Sequence, residues 1–200
     1  MEEKRVFVPL VTSDGAACCA LPARRKAASM HGSPPPRGMR RANRAVTDAR
    51  TMHDIIERCR TVRLGLRDAQ GPFVVPMSFG YDWALDPKGD PQLTLWLHCA
   101  DEGRKLDALA TDPLAAFEMD IEGGVIEGDF SCAYSFAYES VMGAGLVRRV
   151  VEPEEKLHGL MRLMEHLAPG QPVRFSETAI ERVTVLALDA TELSAKRREG

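Results

Sequence analysis

The sequence has no apolar run that approaches the roughly 18 residues needed to cross a bilayer, and its N-terminus carries no signal-peptide pattern. Cysteine is scarce, with five residues and no C-x-x-C pair. An odd number of unpatterned cysteines favours reduced thiols in the cytoplasm over a disulfide-linked secreted framework. We therefore expect a cytoplasmic protein without a membrane segment.

Several short enzyme motifs are also missing. There is no Gly-x-Ser-x-Gly nucleophile elbow and no Gly-x-x-x-x-Gly-Lys-Ser/Thr phosphate loop. Gly143-Ala144-Gly145 does not continue into a dinucleotide fingerprint, and a β-bulge is the structural interpretation of these glycines. His158 and His166 are eight residues apart, too far for a metal pair on one helix face. The sequence thus predicts neither a hydrolase triad nor a metal site, and these histidines together with His53 are interpreted as surface or packing residues.

Charge is distributed unevenly along the chain. Residues 1–45 hold nine Lys and Arg against three Asp and Glu, although the whole chain has a net charge of −3. Residues 1–38 are rich in Ala, Ser, Gly and Pro without helical or strand periodicity, so we expect a disordered N-terminal extension. A basic tail suits nucleic acid or an acidic partner, but translation from an early start codon explains it more simply, and nucleic-acid binding is not favoured.

The remaining chain alternates short strand patterns with helical ones. Thr47-Asp48 offers N-cap oxygens, and Glu152-Pro153 is a second helix start, closed by Pro169-Gly170. The pattern predicts helices at 49–60, 103–111 and from 152, a hairpin through 62–77, and strands at 92–99, 114–121, 130–137, 140–151 and 182–193. Such a run of short strands is typical of a small, mainly β barrel with helices.

A basic turn follows one of these strands. Leu93, Leu95 and Leu97 alternate with polar or aromatic residues, and Arg104 and Lys105 then begin a helical pattern. Cations beside a helix N-terminus oppose the helix dipole unless an anion lies between them. Arg104 and Lys105 therefore predict a phosphate site, the alternative being a solvated basic turn.

A second unusual segment is the strand that contains Pro76. Proline cannot donate to a β-ladder, so this strand is expected at an edge, at a bulge or beside something other than a strand. A flat ligand packed against Pro76, Met77 and Ser78 would use the strand's exposed backbone. The alternative is a simple edge strand.

In order along the chain, these segments resemble the FMN-binding split barrel of the pyridoxamine 5'-phosphate oxidase-like superfamily, and more narrowly its nitroimidazole-resistance (Nim-type) branch. The resemblance covers about residues 39–198. It is carried by RRANRAVTD (40–48), IIERCRTVRLGL (55–66), GPFVVPMSFGY (71–81), LHCADEGRKLDAL (97–109), FEMD (117–120), YESVMGAGLV (138–147) and EKLHGLMRLMEH (155–166).

The resemblance implies a split β-barrel over residues 39–198 that binds FMN, with haem as the alternative cofactor. It implies that Arg104 and Lys105 bind the phosphate and that His98 faces the reacting side of the flavin; a histidine merely bonded to backbone is the alternative. The isoalloxazine would be lined by Pro76, Met77 and Ser78, and Phe79 would also bind the cofactor. The resemblance also implies that Gly143-Ala144-Gly145 borders the cofactor and lets backbone approach it. Weaker candidates, which a partner subunit would contribute to the pocket, are Ser140 and Lys196-Arg197.

The implied function is that of an FMN-dependent oxidoreductase acting on a small molecule, such as a nitroaromatic compound. Family barrels commonly pair into a homodimer with the cofactor at the interface, so the same assembly is expected here. A non-catalytic flavin- or haem-binding protein, active in sensing, storage or haem handling, is the alternative. Pyridoxamine phosphate oxidation is a weaker interpretation, because the C-terminal ELSAKRREG does not match that enzyme's substrate-binding pattern.

Overall fold

The computed structural model describes residues 39–173, 175, 180 and 182–200. The predicted N-terminal extension, residues 1–38, lies outside them, and its disorder stays a prediction. Residues 39–200 make up one unit of the chain.

The helices form where the sequence pattern predicts them. Helix α1 (Ala49–Arg58) begins at Asp48, whose side chain accepts a hydrogen bond of 2.7 Å from the backbone N–H of Thr51. Helix α2 spans Arg104–Thr111 and helix α3 spans Pro153–Leu167, with proline in its first turn as predicted. Short 3₁₀ turns occur at Ala42–Arg44 and Ser131–Ala133.

One antiparallel sheet makes up most of the fold. Its described strands are β1 (Ala45–Val46), β2 (Val62–Asp68), β3 (Gly71–Met77), β4 (Gly80–Leu85), β5 (Pro91–Cys99), β6 (Leu114–Ile126), β7 (Ser135–Val150) and β8 (Thr184–Arg198). They follow the order β3-β2-β6-β7-β8-β5-β4, with β1 pairing to β8. Because the sheet ends at β3 and β4 without closing, it is a split barrel, and the predicted fold class is confirmed.

The predicted boundaries need four corrections, of which the first is that strand β6 continues to Ile126 rather than ending at residue 121. Strand β4 was not predicted, and the segments 130–137 and 140–151 form the single strand β7 after the turn at Ser131–Ala133. Strand β7 runs without a break because Tyr138 and Glu139 pair on both sides, with β6 and with β8. Strand β8 continues to Arg198 rather than 193 for the same reason, since its last residues extend the ladder along the first half of β7.

The glycines of β7 are explained by the neighbouring strand. The register with β8 shifts between Ala144 and Gly145, so the β-bulge interpretation is confirmed. A Cβ on Gly143 would lie 2.1 Å from the carbonyl oxygen of Glu192, and a Cβ on Gly145 would lie 2.3 Å from that of Asp189. The close approach is therefore between two strands, and no ligand is needed to explain it.

Two apolar clusters hold the fold together. The larger fills the barrel and includes Ile55, Leu64, Leu95 and Phe117. The smaller lies where α3 packs on the sheet, and consists of Trp96, Val150, Leu160, Leu163, Val185 and Ala187. Glycine makes this packing close: a Cβ on Gly80 would lie 2.3 Å from backbone atoms of Arg162 and Leu163.

We expect Gly80→Ala to lower the free energy of unfolding by about 1–3 kcal/mol, because the added methyl group meets helix backbone, which cannot rotate away. Chemical denaturation measures this difference. Gly124→Ala is the matched control, since no atom lies within 4 Å of its added Cβ, and its stability should change by less than about 0.5 kcal/mol. Equal stability of the two variants would show that α3 does not depend on this contact.

Candidate functional site

The predicted phosphate turn is the N-terminus of α2. Its N-cap is Gly103, whose φ of 123° lies in the left-handed region that favours glycine. Among the residues that the structure describes, no side chain caps this helix end. The first backbone N–H groups of α2 are therefore open to an anion.

Arg104 already has an anionic partner. Its Nε donates to Asp68 Oδ2 at 2.6 Å and its Nη2 donates to Asp68 Oδ1 at 2.9 Å. The guanidinium also lies 4.1 Å from the centre of the Phe73 ring. The hydrogen bonds from Arg104 lower the pKa of the Asp68 carboxyl and raise that of the arginine itself. Asp68, in the β2–β3 hairpin, therefore supplies part of the negative charge that Arg104 requires beside a helix N-terminus.

Lys105 differs from its neighbour. Its side chain is half-buried and its Nζ lies 3.5 Å from Met77 Sδ. No carboxylate in the described part of the chain pairs with it. Its charge is therefore not neutralised by the protein, and a half-buried ammonium beside open helix N–H groups attracts an anion.

Strand β3 lies at one end of the sheet, so the prediction of an edge position for Pro76 is confirmed. Pro76 and Ser78 are exposed, whereas Met77 and Phe79 are buried. Because the side chain of Phe79 is turned into the core, only its backbone is available to a ligand on the surface. We call residues 73–78 of this edge, together with residues 103–105, the α2–β3 corner.

His98 lies elsewhere, in an apolar pocket of about 240 Å³. The other side chains lining this pocket are Leu160, Leu163, Met164, Leu167, Phe175 and Val183. None of them belongs to α2 or β3, so the structure does not bring His98 into contact with the α2–β3 corner. The side chain of His98 is exposed and forms no hydrogen bond with a described group, so the alternative of a histidine side chain bonded to backbone is not supported.

The weaker candidates lie in the β7–β8 ladder. Ser140 is buried and pairs in register with Asp120 on β6 and Lys196 on β8. Arg197 Nε donates to Glu139 Oε1 at 2.5 Å. The structure shows these residues in sheet pairing and in an ion pair, not in contact with the α2–β3 corner.

Sequence reasoning missed a cavity between α1, β4 and α3. Its lining includes His53, Tyr81, Trp83 and His166, all of which were interpreted as packing residues or not considered. The signal that could have found it is the alternation of Phe79, Tyr81 and Trp83, a period-2 pattern that predicts the missing strand β4.

Two further features of the described chain bear on function. No group of three or more His, Cys, Asp and Glu side chains between residues 39 and 200 is arranged to hold a metal ion, as far as these residues are described. None of the described helices is both long and apolar enough to span a bilayer.

Comparison with protein families gives a match over most of the chain. The sequence model of the pyridoxamine 5'-phosphate oxidase family matches residues 48–197. No curated protein matches.

Solved structures share the fold. A candidate 5-nitroimidazole antibiotic resistance protein from Bacteroides thetaiotaomicron is 27% identical, with a TM-score of 0.64 over 76% of this chain and 85% of that one. A flavocytochrome from Azotobacter vinelandii is 23% identical, with a TM-score of 0.65 over 82% of this chain and 73% of that one. A FAD- and haem-binding protein from Mycobacterium smegmatis is 23% identical, with a TM-score of 0.67 over 78% and 74% of the two chains.

Proposed function

The chain belongs to the pyridoxamine 5'-phosphate oxidase family, and we propose that it is an FMN-dependent oxidoreductase of the nitroimidazole-resistance branch that reduces small molecules such as nitroaromatics. The ordered motif match and the 27% identity to a candidate nitroimidazole-resistance protein support this branch. A cytoplasmic location is part of the same proposal, on the ground of the cysteine usage of the sequence.

The observation that carries the proposal is the charge of Lys105. An ammonium without a described carboxylate partner lies at an uncapped helix N-terminus, next to an edge strand whose outer face is exposed. Backbone N–H groups, a lysine and the free donors of an arginine form a donor set that suits a phosphate monoester. The exposed edge of β3 suits a flat ring system attached to that phosphate.

The side chains at the α2–β3 corner have different roles in the proposed flavin binding. Lys105 provides the uncompensated charge for the phosphate, while Asp68 orients Arg104 so that its Nη1 remains free to donate. Pro76 and Ser78 offer an exposed surface for the ring, and Met77 and Phe79 support it from inside the fold or through backbone. When bound, the flavin would supply the redox chemistry, taking up electrons and passing them to a substrate.

His98 is proposed as the proton donor to the substrate. Because it lies outside the α2–β3 corner of its own chain, it would act on a substrate at the corner of the partner subunit in the expected homodimer. Its exposed imidazole has no described hydrogen-bond partner and is therefore free to bond with a ligand.

Haem binding without catalysis is the second candidate function. The observation that favours it is the same His98, because an imidazole that faces an apolar pocket resembles the environment in which histidine binds haem iron. The absorption spectrum of the purified protein separates the two proposals, since haem gives an intense Soret band and flavin gives two weaker bands in the blue and near ultraviolet.

We expect a homodimer, because the α2–β3 corner is open on its outer side and Val74 on the same strand is 64% exposed. A second subunit would cover both the apolar strand and the bound ring. Light scattering should give twice the chain mass of 22.0 kDa. A monomer that retains tightly bound FMN would contradict this expectation.

We expect Lys105→Met to weaken FMN binding by about tenfold to a hundredfold, since one charge-assisted hydrogen bond is lost. Arg104→Met should weaken it less, because Asp68 already shares that charge. Riboflavin lacks the phosphate, so its affinity should be low in the wild type and nearly the same in both variants. Flavin fluorescence titrations measure all six dissociation constants.

Arg67→Gln is the matched control for these titrations, because Arg67 is an exposed strand arginine outside the corner. Its FMN affinity should equal that of the wild type. Equal losses of FMN and riboflavin in Lys105→Met would show that Lys105 supports the fold and that the phosphate binds elsewhere.

We expect His98→Asn to retain FMN affinity while slowing reduction of a nitroaromatic acceptor by about a hundredfold, the typical contribution of a general acid. Stopped-flow reoxidation of the reduced protein by the acceptor measures the rate. An unchanged rate would remove His98 from the reaction.

A further inference from the structure

The cavity between α1, β4 and α3 has a volume of about 550 Å³, within the range of small-molecule sites. It shares no residue with the α2–β3 corner and none with the pocket of His98. The proposed function assigns no role to this cavity.

One wall of this cavity is aromatic. His53 stacks on Trp83, with ring centres 5.4 Å apart and planes inclined by 30°. The Tyr81 hydroxyl lies 3.3 Å from His53 Nε2, and the ring of His166 meets Tyr81 edge-on at 5.2 Å. Four rings held against one another in this way form a rigid aromatic wall, against which another aromatic ring can stack or pack edge-on.

The orientation of His166 is set by the protein. Its Nε2 lies 2.8 Å from the carbonyl oxygen of Cys59 and therefore donates to it, which leaves Nδ1 as an acceptor. Burial lowers the pKa of His166, so the ring is neutral at neutral pH. In the described part of the chain, the buried side-chain nitrogen and oxygen atoms without a partner are His166 Nδ1 and Arg162 Nε. Both residues line this cavity, so the incompletely paired polar groups of the fold are concentrated here.

The rim is mixed in charge, and its charged side chains without an ion pair among the described residues are Arg60 and Glu57. Three arginines and two glutamates line the cavity, and two of the arginines have acidic partners: Arg58 pairs with Glu139 at 2.5 Å, and Arg162 pairs with Glu165 at 3.0 Å. Arg60 has none among the described residues and donates only to the carbonyl oxygen of His166, at 3.3 Å. Its guanidinium therefore keeps most of its donors and its whole charge for a ligand.

We propose that this cavity is a second small-molecule site, which binds a planar aromatic carboxylate with its ring on Tyr81 and Trp83 and its carboxylate on Arg60. The aromatic wall recognises the ring, and the planar fork of Arg60 recognises the carboxylate. The site functions independently of the flavin, since its lining is complete without the α2–β3 corner.

The test uses 2-naphthoate as the probe, titrated by calorimetry into the full-length protein saturated with FMN. We expect saturable binding at one site per chain. The neutral isostere 2-naphthamide should bind at least about tenfold more weakly, because it cannot form the charge-assisted pair with Arg60. Cyclohexanecarboxylate, which keeps the charge and lacks the aromatic ring, should also bind more weakly.

Two variants test separately the contact of Arg60 with the carboxylate and the contact of Trp83 with the aromatic ring. Arg60→Gln should weaken 2-naphthoate by about tenfold to a hundredfold and leave 2-naphthamide nearly unchanged. Trp83→Leu should weaken both probes. Arg67→Gln removes an exposed arginine outside the cavity and should bind both like the wild type. Thermal melting of each variant shows that the fold is retained before its affinities are compared.

Three results would overturn the proposal. The first is no saturable binding of 2-naphthoate at millimolar concentration. The second is equal loss of naphthoate and naphthamide in Arg60→Gln, which would mean that the arginine acts through the fold. The third is loss of probe binding when FMN is added to the flavin-free protein, or weakened probe binding in Lys105→Met, either of which would assign the probe to the flavin site.

Discussion

The two halves of the sheet are joined by the last strand, and the rest of the molecule depends on that ladder. Strands β3, β2, β6 and β7 form one half, β5 and β4 form the other, and β8 pairs with β7 on one side and β5 on the other. Val185, Leu186, Ala187 and Leu188 are buried where β8 lies between them. The glycines of β7 allow the close approach that this ladder needs. The larger apolar cluster takes Leu64 and Phe117 from one half and Leu95 from the other, so neither half has a complete core alone.

The α2–β3 corner is a consequence of this joining. Strand β3 belongs to the first half, whereas α2 follows β5 of the second, so Lys105 meets Met77 only in the assembled sheet. Arg104 strengthens the junction by bonding Asp68 in the β2–β3 hairpin. An exposed ion pair of this kind contributes little to stability by itself. The ion pair fixes the orientation of Arg104. Lys105, the adjacent residue, is then the cation that remains available to a ligand.

The segment between β3 and β4 links the two candidate sites in the chain. Met77 contacts Lys105 at one site, Phe79 packs edge-on against His166 with ring centres 4.4 Å apart, and Tyr81 belongs to the wall of the second cavity. Alternate residues of one extended segment therefore contact the α2–β3 corner (Met77), pack in the core (Phe79) and line the second cavity (Tyr81). Because alternate side chains of an extended segment point to the same face, the three contacts follow one another along one face of it.

The sequence by itself determined the helices, the hairpin around Pro76, the strands with clear alternation and the family. Each of these depends on local signals: the cap at Asp48, the period of Leu93, Leu95 and Leu97, and the order of short motifs. Tertiary structure alone decided that β7 is one strand, that Asp68 pairs with Arg104, that His98 faces apolar residues of α3, and that Arg60 lines a cavity. These relations join residues 36 to 107 positions apart in the chain, as in the bonds of Arg104 to Asp68 and of His166 to Cys59. Local propensity carries no information about such pairs, because they form only when packing brings the elements together.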